Sequence, residues 1–330
     1  MNLSTTYMGL PIKNPIVISS SKLTDNVQSI KQLADHGAGA IVLKSLFEEQ
    51  FLADTNKLID KDDKYFWFPE SIDFINRHAK EFGLKEYKQL ISEAKRLTDV
   101  PIIGSINCIS PHEWPRFAKD LEDAGVDGLE LNISIFPTDA EMYSEDIENN
   151  YLEIVKAVKL YTSVPVSVKI GSYFTNIHRM VAKLWEAGAD AVVLFNRYYR
   201  PDINIEDQSI SAESYISGPE EMTKSLRWIT LLSEKTSCEL VANTGIHCGD
   251  AVVKQLLAGA NATQICSTLM KNGIGYIETI LDDLTDWMSR NKYESISDFK
   301  GKFSKKESNL AAFERLQFMK RSYTNEYSNS

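Results

Sequence analysis

The sequence predicts a single (β/α)8 barrel, and three observations carry that expectation. One phrase recurs: "DHGAGAIVLKS" at 35–45, "DAGVDGLELN" at 123–132, "EAGADAVVLFN" at 186–196 and "LAGANATQICST" at 257–268. Each reads as a helix end, a glycine stop and a short apolar strand rich in β-branched residues. A second set of strands opens on or near proline: "PIVISSS" from Pro15, "VPIIGSIN" at 100–107 and "VPVSVKIG" at 164–171. With "CELVANTG" at 238–245 the strands number eight. Helical patterns such as "NIHRMVAKLWEAG" separate most of them, and strands alternating with helices call for parallel βαβ units. An open doubly wound sheet is the competing arrangement. The strands are short and apolar on both faces, and no GxGxxG follows the first, which favours the closed barrel.

Nothing resembling a linker divides the chain, so residues 1–303 are assigned to the barrel and 304–330 to a helical tail. In the tail, Leu310, Phe313 and Leu316 share one helical face, suited to packing on the barrel or a second subunit. Two insertions are expected, 46–86 after the second strand and 197–224 after the sixth. The first contains Tyr65, Phe66, Trp67 and Phe68, which either stack on a planar ligand or anchor a long loop.

Composition narrows the function. A formal charge of −10 over 330 residues disfavours nucleic-acid and anionic-membrane surfaces. The N-terminus has no apolar signal core, and no apolar run reaches the ~20 residues of a membrane span. Cys108, Cys238, Cys248 and Cys266 form no CxxC pair, and His36, His78, His112, His178 and His247 form no two-histidine ligand spacing. A cytoplasmic, metal-free protein is the expectation.

In such barrels the active site forms at the C-terminal ends of the strands. Those ends supply Ser19, Ser20 and Ser21, Lys44 and Ser45, Asn107, Asn132 and Ser134, Lys169, Asn196, Thr244 with Gly245, and Ser267 with Thr268. Any one of them could simply cap a turn; polar groups at every strand end, two of them lysines, look like a ligand cradle. "NTGI" at 243–246 and "CSTL" at 266–269 close the last two strands, the usual phosphate position, and precede helix starts. Gly218 in "ISGPEE" offers a third approach of backbone to phosphate, unless these are only turn glycines and caps.

The ordered set "NPIVISSS", "VLKS", "ELNIS", "VKIGSYF", "LFN", "NTGI" and "QICST" resembles the dihydroorotate dehydrogenase family of FMN-dependent barrels. "YESISDFKGK" at 293–302 resembles the terminal signature of its cytosolic, homodimeric branch. The resemblance implies FMN across the barrel mouth. Ser19, Ser20 and Ser21 would lie beside it, Lys44 and Ser45 would reach its ring, and Asn107 and Asn132 would line the cavity. Lys169 would meet the N1/O2 edge, while Gly218, Thr244, Gly245, Cys266, Ser267 and Thr268 would hold the phosphate. An ammonium near N1 stabilises the negative charge of a reduced flavin, so Lys169→Ala is expected to weaken flavin reduction more than folding.

One departure stands out. Family members carry a base as N-x-S-C-P-N or N-x-S-S-P-N, whereas this chain reads Asn132-Ile133-Ser134-Ile135-Phe136-Pro137. Ile135 cannot accept a proton. Ser134, Asp139, Tyr143 or the first insertion could supply another base, although an unassisted hydroxyl is a poor one. The order of preference is a changed substrate, then ordinary dihydroorotate oxidation, then a flavoprotein without turnover. Arg197 and Arg200 near Asn196 suit a substrate carboxylate, or else ion pairs with Asp202 or Glu206. Lys44, Ser134 and Lys169 are the catalytic candidates, and Asn132, Asn196 and Arg197 the substrate-binding ones. The competing class is a flavin-free phosphate-binding isomerase or aldolase, with Lys169 as Schiff-base nucleophile.

Overall fold

The computed structural model describes residues 1–47, 69–107, 113–135, 140–198, 201–212 and 216–304. The chain begins with a hairpin of β1 (Thr5–Tyr7) and β2 (Leu10–Ile12). Its two-residue turn, Met8 and Gly9, has φ of 49° and 81°, the positive values a type I′ hairpin turn requires. Then follow β3 (Ile16–Ile18), β4 (Ala40–Val42), β5 (Leu46–Phe47), β6 (Ile102–Asn107), β7 (Gly128–Asn132), β8 (Val166–Ile170) and β9 (Ala191–Leu194). A second hairpin, β10 (Pro201–Asn204) and β11 (Ser209–Ala212), precedes β12 (Glu239–Asn243) and β13 (Ala262–Ile265).

Strands β3, β4, β6, β7, β8, β9, β12 and β13 pair in parallel in that order, and β13 returns to β3. The eight-stranded barrel is therefore closed, as expected. The recurring phrase has a local cause. Gly37, Gly125, Gly188 and Gly259 take φ between 99° and 110°, so each ends a helix in the left-handed conformation before the next strand. The helix Ile177–Glu186 shows the other half of the code: Asn176 caps it by accepting from the Arg179 N–H, and Ile177, Met180, Val181 and Leu184 form its buried stripe.

Two cores result from the strand alternation. Ile16, Ile18, Ile41, Val192 and Leu194 face outward into the layer shared with the helices. Val17, Ala40, Val42, Ile103, Ala191, Val193, Val241 and Ala262 face inward and pack with Tyr7, Met8 and Ile12 of the first hairpin. That hairpin closes the floor of the barrel. Gly128 makes the closure possible, because a Cβ there would lie 2.6 Å from the Met8 Sδ.

The insertions differ from the expected boundaries. Pro69–Leu97 is one 29-residue helix, so 69–86 belongs to the second barrel helix rather than to a loop. Gly83, a weak helix former, interrupts its apolar pattern. Leu46–Phe47 pairs with β6, while the aromatic run at 65–68 lies outside the described residues. The second insertion holds the β10–β11 hairpin and a 3-10 turn, Pro219–Glu221. Ser304 ends the described chain, so the expected tail helix lies beyond it.

Candidate active site

Inward alternation continues upward from the apolar floor into a polar layer. Ser105 and Asn107, Glu130 and Asn132, Ser167 and Lys169, and Gln264 and Cys266 are pairs two residues apart, each on one face of its strand or just beyond it. Lys169 is 6% exposed. Its ammonium donates to the Ser19 Oγ at 3.0 Å and to the Gln264 Oε1 at 3.4 Å, and lies 3.9 Å from the Glu130 Oε1. The other oxygen of Glu130 accepts from the Tyr7 phenol at 2.7 Å and from the Gln264 amide. Burial, then the Glu130 charge, pushes the Tyr7 phenol well above its ordinary range, so it remains a donor.

Above this network lies a cavity of about 240 Å³ that brings ten of the expected residues together. Ser19, Ser20, Ser21, Lys169, Asn196, Arg197, Thr244, Gly245, Cys266 and Ser267 all line it. Ser45 is one step back, its N–H donating to the Ser20 Oγ at 2.8 Å and its hydroxyl 2.7 Å from the Ser105 Oγ. Asn132 accepts from the Asn196 amide at 2.8 Å, which ties adjacent strand mouths. Lys44 and Asn107 are half-buried at their strand ends. Thr268 is fully buried, its hydroxyl donating to the His247 carbonyl at 3.1 Å.

The far end of the cavity is a knot of three loops. The Ser217 N–H donates to the Ser267 Oγ at 3.0 Å, and the Gly245 N–H to the Ser217 Oγ at 3.3 Å. Thr244 and Gly245 are both left-handed, with φ of 75° and 78°. A non-glycine residue there is strained, which is common where backbone is shaped around a ligand. A Cβ on Gly245 would come within 2.2 Å of the Met222 nitrogen, so only glycine fits. Two expectations change here. The Gly218 N–H is given to the Glu221 Oε1 at 2.9 Å, within its own turn. The helix after β13, Ser267–Asn272, has only six residues, so its dipole contributes little and hydroxyls dominate the polar lining. Cys266 also lines the cavity, and burial pushes its thiol up.

Arg197 forms an ion pair with Glu221. Its Nε lies 3.2 Å from both carboxylate oxygens of Glu221, so it braces the turn that holds Gly218. Arg200 lies outside the described residues, as does Asp139. Tyr143 is 75% exposed and caps the helix Ser144–Tyr161 with its backbone.

Beyond β7, Ile133 is buried and Ile135 packs against the outer core. The Tyr151 hydroxyl pins this turn, donating to the Ile133 carbonyl at 3.2 Å and accepting from the Ile135 N–H at 3.4 Å. Ser134 hydrogen-bonds the side chain of Tyr198, whose phenol burial pushes up. Tyr198 covers Gly171, where a Cβ would lie 2.5 Å from its ring, and stacks on Tyr173 with centroids 5.4 Å apart. A second cavity, about 620 Å³, opens between Ile135, Tyr151, Tyr173, Phe174 and Tyr198. The base position is thus an apolar and aromatic wall. Glu130, Ser217, Asn243 and Gln264 escaped the sequence reading, which took polar residues at and just beyond the strand ends. For Glu130 and Gln264 the signal available was a polar residue two positions before Asn132 or Cys266; Asn243 ends β12 itself, and Ser217 lies in a loop.

The profile of the family described as Dihydroorotate dehydrogenase matches residues 2–288. The chain is similar to the catalytic subunit of dihydroorotate dehydrogenase B (NAD(+)) from Thermoplasma volcanium, with 29% identity covering 91% of this chain and 98% of that protein. The subunit of the same name from Methanocaldococcus jannaschii is 28% identical over 87% of this chain and 93% of its own. Chloroplastic dihydropyrimidine dehydrogenase (NADP(+)) of Arabidopsis thaliana is 24% identical, over 91% and 76% respectively. The match runs through the barrel, the Lys169 network and the three-loop knot. The chain therefore belongs to the dihydroorotate dehydrogenase family, flavin-dependent oxidoreductases acting on CH–CH groups.

Proposed function

We propose that the chain is an FMN-dependent oxidoreductase that exchanges hydride between flavin N5 and a dihydropyrimidine-like or related carboxylate-bearing substrate. The observation that carries this reading is the buried Lys169 ammonium, held by Ser19 and Gln264 on the floor of a cavity whose far end is a hydroxyl-rich loop knot. The residues fit FMN on two counts. The cavity wall is rich in hydroxyl groups, and the buried Lys169 ammonium places positive charge at its floor. FMN, when bound, supplies the two-electron chemistry. Ser19, Ser20, Ser21, Thr244, Gly245, Cys266 and Ser267 would hold it; Ser45 and Thr268 support these from behind. Lys169 and Lys44 would stabilise negative charge on the ring, and Asn107, Asn132 and Asn196 would orient substrate beside it. Gly218 and Arg197 enter as the braced turn that carries Ser217, and Arg197 as a carboxylate contact only if its pair with Glu221 opens.

Ile135 supports a substrate other than dihydroorotate, because no group at that position can accept a proton. Ser134, bonded to Tyr198, is the nearest polar replacement. The exposed Ile203, Ile205 and Ile210 of the β10–β11 hairpin support a homodimer. A cytoplasmic location agrees with the free cysteines Cys238, Cys248 and Cys266, and no helix among the described residues is long and apolar enough to cross a membrane.

Absorbance of the purified chain tests the reading. A yellow protein, or one that becomes yellow with FMN, is expected; a colourless wild-type chain that takes up no FMN refutes it. Anaerobic dihydroorotate then separates substrates, since bleaching of the bound flavin would mean that the parent reaction survives Ile135.

A further inference from the structure

Glu130 has no part in the reading above, yet it has no exposed surface and sits one side chain below Lys169. Its Oε2 is satisfied by Tyr7 and Gln264, whereas its Oε1 faces the ammonium at 3.9 Å with no hydrogen-bond partner. A carboxylate buried with one oxygen unsatisfied is unfavourable. A structural plug would not need it, since Val17, Val42, Val193 and Val241 fill other inward positions with hydrocarbon. The groups around Glu130 are Tyr7 from the first hairpin, Ser167 and Lys169 from β8, and Gln264 from β13. Among these the only fixed charge is that of Lys169.

We propose that Glu130 is a counter-charge that lowers the reduction potential of the flavin held above Lys169. The inference rests on the proposed flavin site. A ring that gains negative charge on reduction is stabilised by Lys169 and destabilised by a carboxylate lying just behind it. The two charges together approach neutrality, so the site holds a flavin that gives up hydride more readily than a site with the lysine alone. Tyr7 and Gln264 fix the carboxylate by hydrogen bonds without cancelling its charge. Glu130 is therefore a positioning and tuning residue, not a catalytic one.

The test is the reduction potential of the FMN-loaded full chain, titrated against a reference dye at neutral pH. Glu130→Gln keeps the shape and an acceptor for Tyr7 while removing the charge. The ratio of reduced to oxidised flavin at fixed potential is expected to rise at least about tenfold, ~30 mV for a two-electron couple. A potential that is unchanged or lower overturns the inference. Should Glu130→Gln fail to fold, Glu130→Leu decides: it removes the charge from an inward layer that already holds valines, and is likewise expected to raise the potential, and an unchanged or lower value overturns the inference. A wild-type chain that binds no FMN removes the flavin site and this inference together. A yellow chain whose potential ignores Glu130 removes only the second.

Discussion

Replacing Lys169 by alanine perturbs the fold as well as the chemistry, and the structure sets the size of the effect. The Lys169 and Glu130 side chains are 7% and 0% exposed, and the ammonium lies 3.9 Å from the carboxylate Oε1. Removing one partner of a buried pair leaves the other charge uncompensated, typically at about 3–5 kcal/mol. The loss expected for Lys169→Ala is therefore about 3–5 kcal/mol. The double variant Lys169→Ala/Glu130→Gln, in which no charge remains, should recover most of it. Urea unfolding of the four proteins of this cycle, followed by far-UV circular dichroism, measures both values. A single variant within about 0.5 kcal/mol of wild type, or a double variant no better than the single, would refute the reasoning. From the sequence this substitution is expected to weaken flavin reduction more than folding; the buried partner adds a folding penalty that a kinetic comparison must first subtract.

Two further predictions address the altered loop and the phosphate end. Ile135→Ser restores a hydroxyl at the family's base position, and a positioned general base is worth roughly 10²–10⁴-fold; anaerobic bleaching of the flavin by dihydroorotate should accelerate at least about tenfold, and an unchanged rate would show that the loop geometry, not the side chain, was lost. His247, its Nε2 3.4 Å from the Ser217 Oγ, is held below its ordinary value chiefly by burial. The folded state then binds fewer protons than the unfolded one, so stability is full above roughly pH 6.5 and falls as acid is added through the unfolded and then the folded value. His247→Gln should flatten the change in urea midpoint between about pH 7 and 5, and an unaltered slope counts against the assignment.

Local patterns made much of this protein legible. The four glycine-terminated phrases named the strands they precede because the left-handed helix stop depends only on neighbouring residues. The period of two placed Ser19, Asn132, Lys169 and Thr244 at strand mouths for the same reason. A gap in such a pattern misleads just as locally: Gly83 hid the first half of the Pro69–Leu97 helix.

What the order of residues determined by itself was the barrel, its polar rim, its family, and the loss of a base at Ile135. Tertiary structure alone decided who meets whom. Arg197 was free in sequence to face a substrate, and the folded chain gives it to Glu221. Gly218 looked like a phosphate contact, and its N–H goes to the same carboxylate. Tyr7 and Glu130 are separated by 123 residues, and they join under Lys169 only because the first hairpin plugs the barrel floor. Periodicity is a property of adjacent residues, whereas pairing a buried charge requires strands from across the closed sheet, and no local pattern records which strands those will be.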